Sequence, residues 1–167
     1  MTSLSYDPLR ALECLHRHGV DFVLIGGVAA VAHGSPLATF DTDITPQRSL
    51  DNLDRLAAAL RELNARIRTS AEPVAFPIDG GFLAAQPHML NLTTDAGDLD
   101  LTFAPAGFPE GFAQLRPGAV EVSLVEGAVT AVAALRDVIA SKAAADRDKD
   151  RAALPYLRAL LARIDGG

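Results

Sequence analysis

The chain has 167 residues, of which 49% are hydrophobic and 22% charged, and its formal net charge is −6. These values are typical of one globular domain, so we predict a single domain over residues 1–167. The negative net charge argues against a surface that binds nucleic acid over its whole extent. Cys14 is the only cysteine, which excludes an internal disulfide and a zinc site built from several thiolates.

The N-terminal segment is charged and amphipathic, and it lacks the apolar stretch of a secretory signal. No apolar run approaches the ~20 residues that a membrane span requires. A lone cysteine agrees with a reducing compartment. We therefore expect a cytoplasmic protein that has no membrane partner.

Apolar periodicity predicts helices that alternate with strands. Gly19 stops the first helix, Ser49 is a typical N-cap, and Pro155 should kink or break the last helix. In chain order, the predicted elements are a helix over 8–18, a strand over 21–25, a short helix over 28–33, a strand over 40–45, a helix over 49–63, a candidate strand over 66–69, a loop with room for one helical turn over 72–86, a hairpin of strands over 88–94 and 98–103, one or two strands within 120–132, and helices over 133–145 and 148–164. This order predicts an α+β fold with a mixed sheet.

An acidic pair on the second predicted strand points to metal chemistry. Asp41 and Asp43 are spaced i, i+2, which on a strand puts both carboxylates on one face, about 7 Å apart along the chain. Two carboxylates on one face repel each other unless a cation lies between them. Mg²⁺ prefers such oxygen ligands, and two Mg²⁺ ions about 4 Å apart suit phosphoryl or nucleotidyl transfer.

A third carboxylate would complete such a site. Asp98 and Asp100 have the same spacing on the predicted strand over 98–103. We favour Asp100, which stands between two leucines in an apolar run, and Asp98 is the alternative. If this strand neighbours the one over 40–45, Asp100 can face the same metals.

A glycine pair, Gly26-Gly27, lies between a buried strand and a short helix. Glycine permits close backbone approach, and a helix N-terminus attracts anions through its unpaired N–H groups and its dipole. The pair is therefore a candidate cradle for a triphosphate, and a plain turn is the alternative.

The stretch LIGGVAAVAHGSPLATFDTDI resembles the first motif of the nucleotidyltransferase superfamily, in which Gly-Gly or Gly-Ser precedes Asp-x-Asp or Asp-x-Glu. Within it, the chain is most similar to the small abortive-infection (AbiE-type) toxin branch. The stretch GDLDLTFAPAGFPEGFAQL resembles that group's third-carboxylate strand, and LRDVIASKAAADRDKDRAALPYLRAL resembles its C-terminal helices. The resemblance covers most of the chain from Leu24 to Leu160.

The resemblance implies a small mixed sheet flanked by helices, and Mg²⁺-dependent transfer of a nucleoside monophosphate from an NTP. By matching position, the resemblance implies that Asp41, Asp43 and Asp100 ligate the metal, with Asp100 alternatively the base for an acceptor hydroxyl. It implies that Gly26 and Gly27 bind phosphates. It also implies that Lys142 and Lys149 contact the triphosphate or the acceptor. For the two lysines and Arg147, the alternative is ordinary ion pairing on a solvated helix face with Asp146, Asp148 and Asp150.

Two positions depart from the pattern of the group. Leu37 stands where relatives often carry Arg, and Phe40 where a basic residue is common. Two hypotheses follow. One is an active nucleotidyltransferase whose acceptor is RNA (tRNA included), a protein or a small molecule. In this hypothesis the protein is the toxin of a toxin–antitoxin or phage-defence system, and a cognate antitoxin is its partner. The other is a catalytically degenerate domain that binds nucleotides or a partner as a regulatory module.

Overall fold

The computed structural model describes residues 5–167 of the chain. Over this range the backbone forms helices and strands in an order close to the predicted one. They are α1 (Pro8–Arg17), β1 (Phe22–Ile25), α2 (Gly26–Ala32), β2 (Asp41–Pro46), α3 (Leu50–Glu62), β3 (Arg66–Ile67), α4 (Gly80–Ala84), β4 (Met89–Thr94), β5 (Gly97–Thr102), α5 (Phe112–Leu115), a 3₁₀ turn (Arg116–Gly118), β6 (Val120–Val125), β7 (Ala128–Val132), α6 (Leu135–Ala145) and α7 (Asp148–Gly166).

The strands within residues 5–167 form one seven-stranded sheet in the order β3-β4-β5-β2-β1-β7-β6. Two neighbouring pairs, β2 with β5 and β1 with β7, are parallel, and the other four pairs are antiparallel. About 44% of the chain is helix and 22% strand. The predicted α+β class with a mixed sheet is therefore confirmed. Among the helices of residues 5–167, none is both long enough and apolar enough to span a membrane.

Local signals explain where the longer helices begin. The Asp7 carboxylate accepts a hydrogen bond from the Arg10 backbone N–H at the start of α1, and the Ser49 hydroxyl accepts one from Asn52 at the start of α3. These are N-caps, which satisfy amide groups that have no partner inside the helix. Both helices then bury leucines on one face, as their spacing predicts.

The structure corrects three of the expected elements. Helix α2 begins at Gly26, two residues before the predicted start, and includes the glycine pair. The predicted break at Pro155 is wrong, because α7 runs continuously through it. The proline removes one intrahelical hydrogen bond, and the buried Leu154, Leu157 and Leu160 hold the helix against the core on both sides of that gap. The short helix α5 was not predicted.

The core is mainly aliphatic, and its largest fully buried side chains are leucines together with Ile44 of β2. Strand β2 lies near the middle of the sheet, with β1 on one side and β5 on the other. Helix α2 contacts β2 and α6, and α6 contacts α7. This arrangement brings the two C-terminal helices close to the strands that carry the acidic residues.

Candidate active site

Three carboxylates converge where β2 and β5 run side by side. The parallel register sets Asp43 opposite Asp100 and Asp41 opposite Asp98. Side chains two residues apart on a strand share a face, so β2 and β5 present their acidic residues to the same side. Carboxylate oxygens of Asp41, Asp43 and Asp100 lie within 4.8 Å of one another. The structure thus brings together the three predicted metal ligands.

The electrostatics of this cluster favour a bound cation. Burial, followed by the charges of Asp41 and Asp100, raises the pKa of Asp43 to about 7, against the pull of Lys149. Burial also raises the pKa of Asp100 to about 6, although Arg68 opposes the shift. The carboxylates therefore carry more negative charge than the nearby cationic side chains neutralise. Three hard oxygen donors with this charge excess fit a divalent ion such as Mg²⁺.

The glycine pair packs directly on the acidic residues. Gly26 has φ +69°, a left-handed conformation, and a Cβ at this position would collide with the Asp43 carboxylate. A Cβ at Gly27 would lie 2.5 Å from the Thr39 hydroxyl oxygen. These close approaches give both glycines a packing role beside the cluster. The predicted phosphate-binding role of the pair stays a prediction.

Replacing Gly26 by Ala is expected to lower the free energy of unfolding by about 3 kcal/mol, because left-handed strain and the collision with Asp43 add together. Gly127 provides the control, since it has φ +76° and a Cβ there meets nothing within 4 Å. Gly127→Ala should cost about 1 kcal/mol, for strain alone. Urea unfolding of the two variants measures both values, and equal losses would contradict close packing of Gly26 on Asp43.

Cationic side chains from the C-terminal helices line the same cavity as the carboxylates. Lys142 lies on α6, Arg147 is the N-cap of α7, and Lys149 lies in the first turn of α7. The charge of Lys149 lowers the pKa of Asp43, so this lysine acts on the cluster directly. The two predicted lysines therefore lie beside the acidic residues.

Asp150 anchors part of this cationic group. Its side chain is fully buried, and it binds Arg147 Nε at 2.7 Å and Lys142 Nζ at 3.7 Å. A carboxylate removed from water in this way is not part of a solvated surface network, so the expectation of ordinary surface pairing fails for Asp150. The exposed pairs of this region join Arg151 to Asp146 and Asp148 instead.

Arg68 is a member of the site that sequence analysis missed. It follows β3, and its guanidinium reaches Asp100 Oδ1 at 2.8 Å and Asp98 Oδ2 at 3.4 Å. The same group donates to the Leu92 carbonyl at 2.9 Å. A single arginine near a short edge strand carries no pattern, and only the sheet order places it beside β5. The contacts also separate the two candidate acids: Asp98 pairs with Arg68 at the more exposed margin, and Asp100 joins the cluster.

A cavity of about 730 Å³ is lined by the acidic cluster, the glycine pair, Asp98 and four cationic side chains, which are Arg68, Lys142, Arg147 and Lys149. This volume is within the range of small-molecule and nucleotide sites. Its acidic floor comes from β2 and β5, and its cationic side from α6 and α7. The segment over 35–40, between α2 and β2, contributes apolar lining through Leu37 and Phe40.

His33 and Cys14 lie outside this cavity. His33 is the C-cap of α2 and hydrogen-bonds the Ala133 carbonyl at 2.8 Å. Cys14 is buried, and burial raises the pKa of its thiol to about 11. Its sulfur lies near His18 and Glu62, but Glu62 is already paired with Arg17 and His18.

Neither protein-family models nor curated proteins give a match to this chain. The geometry of the cavity and the motifs in the sequence are therefore the features that point to a function.

Proposed function

We propose that this protein is a Mg²⁺-dependent nucleotidyltransferase that moves a nucleoside monophosphate from an NTP to an acceptor hydroxyl. The observation that carries the proposal is the convergence of Asp41, Asp43 and Asp100 in one cavity that Lys142, Arg147 and Lys149 also line. The carboxylates carry negative charge that a metal ion can neutralise, and the basic side chains can bind phosphate oxygens. Together they suit a metal–triphosphate complex.

Asp41, Asp43 and Asp100 would hold the metal, which when bound would neutralise phosphate charge and polarise the phosphorus centre. Lys142 and Lys149 bind oxygens of the triphosphate and stabilise the negative charge that develops on the leaving pyrophosphate. The reaction forms a bond from the acceptor oxygen to the α-phosphorus and breaks the bond from that phosphorus to pyrophosphate.

The acceptor proton needs a base, and we assign that role to Asp100. Its carboxylate lines the cavity beside Asp41 and Asp43, and a carboxylate within hydrogen-bond reach of the acceptor hydroxyl can take its proton. Arg68 binds Asp100 Oδ1 and fixes its orientation. In this proposal Asp100 receives the proton as the acceptor oxygen attacks, and Arg68 holds the carboxylate in place.

The test has a binding arm and a transfer arm. Calorimetric titration of the protein with each NTP should show binding that depends on Mg²⁺. Incubation of the protein with labelled NTP, Mg²⁺ and a cell extract should transfer label to RNA, protein or a small molecule. Asp41→Ala combined with Asp43→Ala should abolish both signals, while Asp165→Asn, at an exposed position near the end of α7, should leave them unchanged. Absence of binding and of transfer in the wild type would refute the proposal.

A second candidate is a regulatory module that keeps the fold and lacks transfer activity. The apolar Leu37 and Phe40 favour it, because both stand where the resembling group commonly has basic residues. Label transfer that depends on Asp43 would exclude this candidate. The toxin role, the cognate antitoxin, the identity of the acceptor and the cytoplasmic location stay predictions.

A further inference from the structure

Phe40 is the most exposed large apolar side chain in residues 5–167, with 76% of its surface accessible. It lines the cavity and directly precedes Asp41, the first carboxylate of the cluster. An exposed aromatic ring at the wall of a cavity leaves a large apolar surface in water, which a planar ligand can cover. The position of this ring beside the acidic cluster therefore suggests a ligand that spans both.

The neighbours of Phe40 make this wall apolar. Leu37 is half-buried and lines the same cavity. The polar side chains of the segment are already engaged: the Ser35 hydroxyl accepts from the Leu37 backbone N–H at 3.2 Å, and the Thr39 hydroxyl donates to the Asp41 carbonyl at 3.3 Å. The segment thus offers a ring face and an aliphatic side chain, with its hydroxyls turned to the backbone.

The charged and apolar parts of the cavity lining suit different parts of a nucleotide. The phosphates and their metal belong with the carboxylates and the lysines, which leaves the uncharged base for the apolar wall. Phe40 lines the same cavity as Asp41, so its ring lies within the space that a nucleotide would occupy when its metal is held by the carboxylates. A base is planar and aromatic, and stacking on a phenyl ring is its common mode of recognition.

We propose that Phe40 is the base-stacking residue of this cavity and that the base is recognised by its ring face. This inference rests on the proposed function, because it assumes that the ligand is a nucleotide. Every base has a stacking face, so stacking without hydrogen bonds from this segment accepts all four NTPs. Purines, with the larger ring system, bind more tightly than pyrimidines.

Comparison of ATP with inorganic triphosphate distinguishes the contribution of the base to binding from that of the phosphates. Calorimetry in Mg²⁺ should show that Phe40→Ala weakens ATP binding about tenfold, the loss of one stacked base. Binding of inorganic triphosphate should change less than about twofold, because it has no base to stack. Val129→Ala, which truncates another exposed apolar side chain outside this cavity, should change neither affinity.

A fluorescent variant reports stacking directly. The chain contains no tryptophan, so Phe40→Trp introduces a single fluorophore at the proposed contact. Purine nucleotides should quench it with a midpoint equal to the calorimetric Kd, and inorganic triphosphate should not. Val129→Trp, the matched control, should stay unquenched. Circular dichroism of each variant checks that these surface substitutions leave the fold intact.

The outcomes distinguish this inference from the proposed function. If the wild type binds ATP and inorganic triphosphate in Mg²⁺, but Phe40→Ala weakens both equally or neither, the stacking role is refuted and the nucleotide site stands. If the wild type binds neither probe, the proposed function fails and the inference falls with it. Unquenched Phe40→Trp at saturating ATP also overturns the stacking role.

Discussion

Asp43→Asn is expected to stabilise the metal-free protein while it abolishes Mg²⁺-dependent activity. The substitution removes one of three clustered negative charges and keeps the shape of the side chain. In EDTA at pH 8 we expect the free energy of unfolding to rise by about 2 kcal/mol. Transfer activity, if the proposed function is correct, should fall at least about 10³-fold, because a ligand of the reacting centre is lost.

The pH dependence of this gain has a definite sign. Burial and the neighbouring carboxylates raise the pKa of Asp43 to about 7 in the folded protein, from an ordinary 3.8. The folded state therefore holds a proton that the unfolded state releases, and stability falls as pH rises between these values. Asn does not titrate, so the advantage of Asp43→Asn should be large at pH 8 and absent near pH 4.

Urea unfolding in EDTA and in Mg²⁺, at pH 4 and pH 8, measures both effects. Mg²⁺ should stabilise the wild type at pH 8, because a ligand that binds only the folded state shifts the unfolding equilibrium. The Asp43→Asn variant should respond little to Mg²⁺. An Asp43→Asn protein that is less stable than the wild type in EDTA at pH 8 would contradict strong charge repulsion in the cluster.

Asp150→Ala is expected to lower the free energy of unfolding by about 3 kcal/mol, the cost of breaking a buried ion pair. The Asp150 carboxylate accepts from the Arg147 backbone N–H and from its guanidinium, and so caps α7 and binds Lys142 at once. Its loss leaves the start of α7 without this cap and the two cationic groups without their anchor. Nucleotide affinity should fall as well, because Lys142 and Arg147 lose their fixed positions.

Asp148→Ala is the matched control, two residues away on the same helix. Its side chain is 97% exposed and pairs with Arg151, so its removal should cost less than about 1 kcal/mol.

Burial alone raises the pKa of Asp150, but the Arg147 hydrogen bonds outweigh burial and hold the pKa below its usual value. A lowered pKa means that the stabilisation is present at neutral pH and is lost in acid. Equal losses for the two variants at pH 7 would contradict a buried anchor.

Together, these results would divide the cavity by role. The acidic cluster would lower the stability of the metal-free protein, a cost that is common at functional sites. Asp150 has the opposite character, since it stabilises the helix junction and fixes the basic side chains. The exposed ring of Phe40 belongs neither to the acidic cluster nor to the Asp150 anchor. We therefore propose a ligand contact as its role.

The local features of this protein can be predicted from its sequence. Alternation over 40–45 and 98–103 fixes which residues of each strand share a face, because side chains on a strand repeat every two residues. The turn at 95–97 joins β4 and β5 into the expected hairpin, and two strands flank Glu126-Gly127. The α+β class and the acidic residues of the cluster followed from these local periods.

The contacts between distant elements depend on the folded structure. The parallel pairing of β2 with β5 joins segments more than 50 residues apart, and no local pattern specifies such a register. Arg68 reaches Asp100 because the sheet order places β3 two strands from β5. The burial of Asp150 depends in the same way on the packing of α6 against α7. Periodicity is a property of neighbours along the chain, whereas charge compensation in the cavity depends on side chains that only the fold brings into contact.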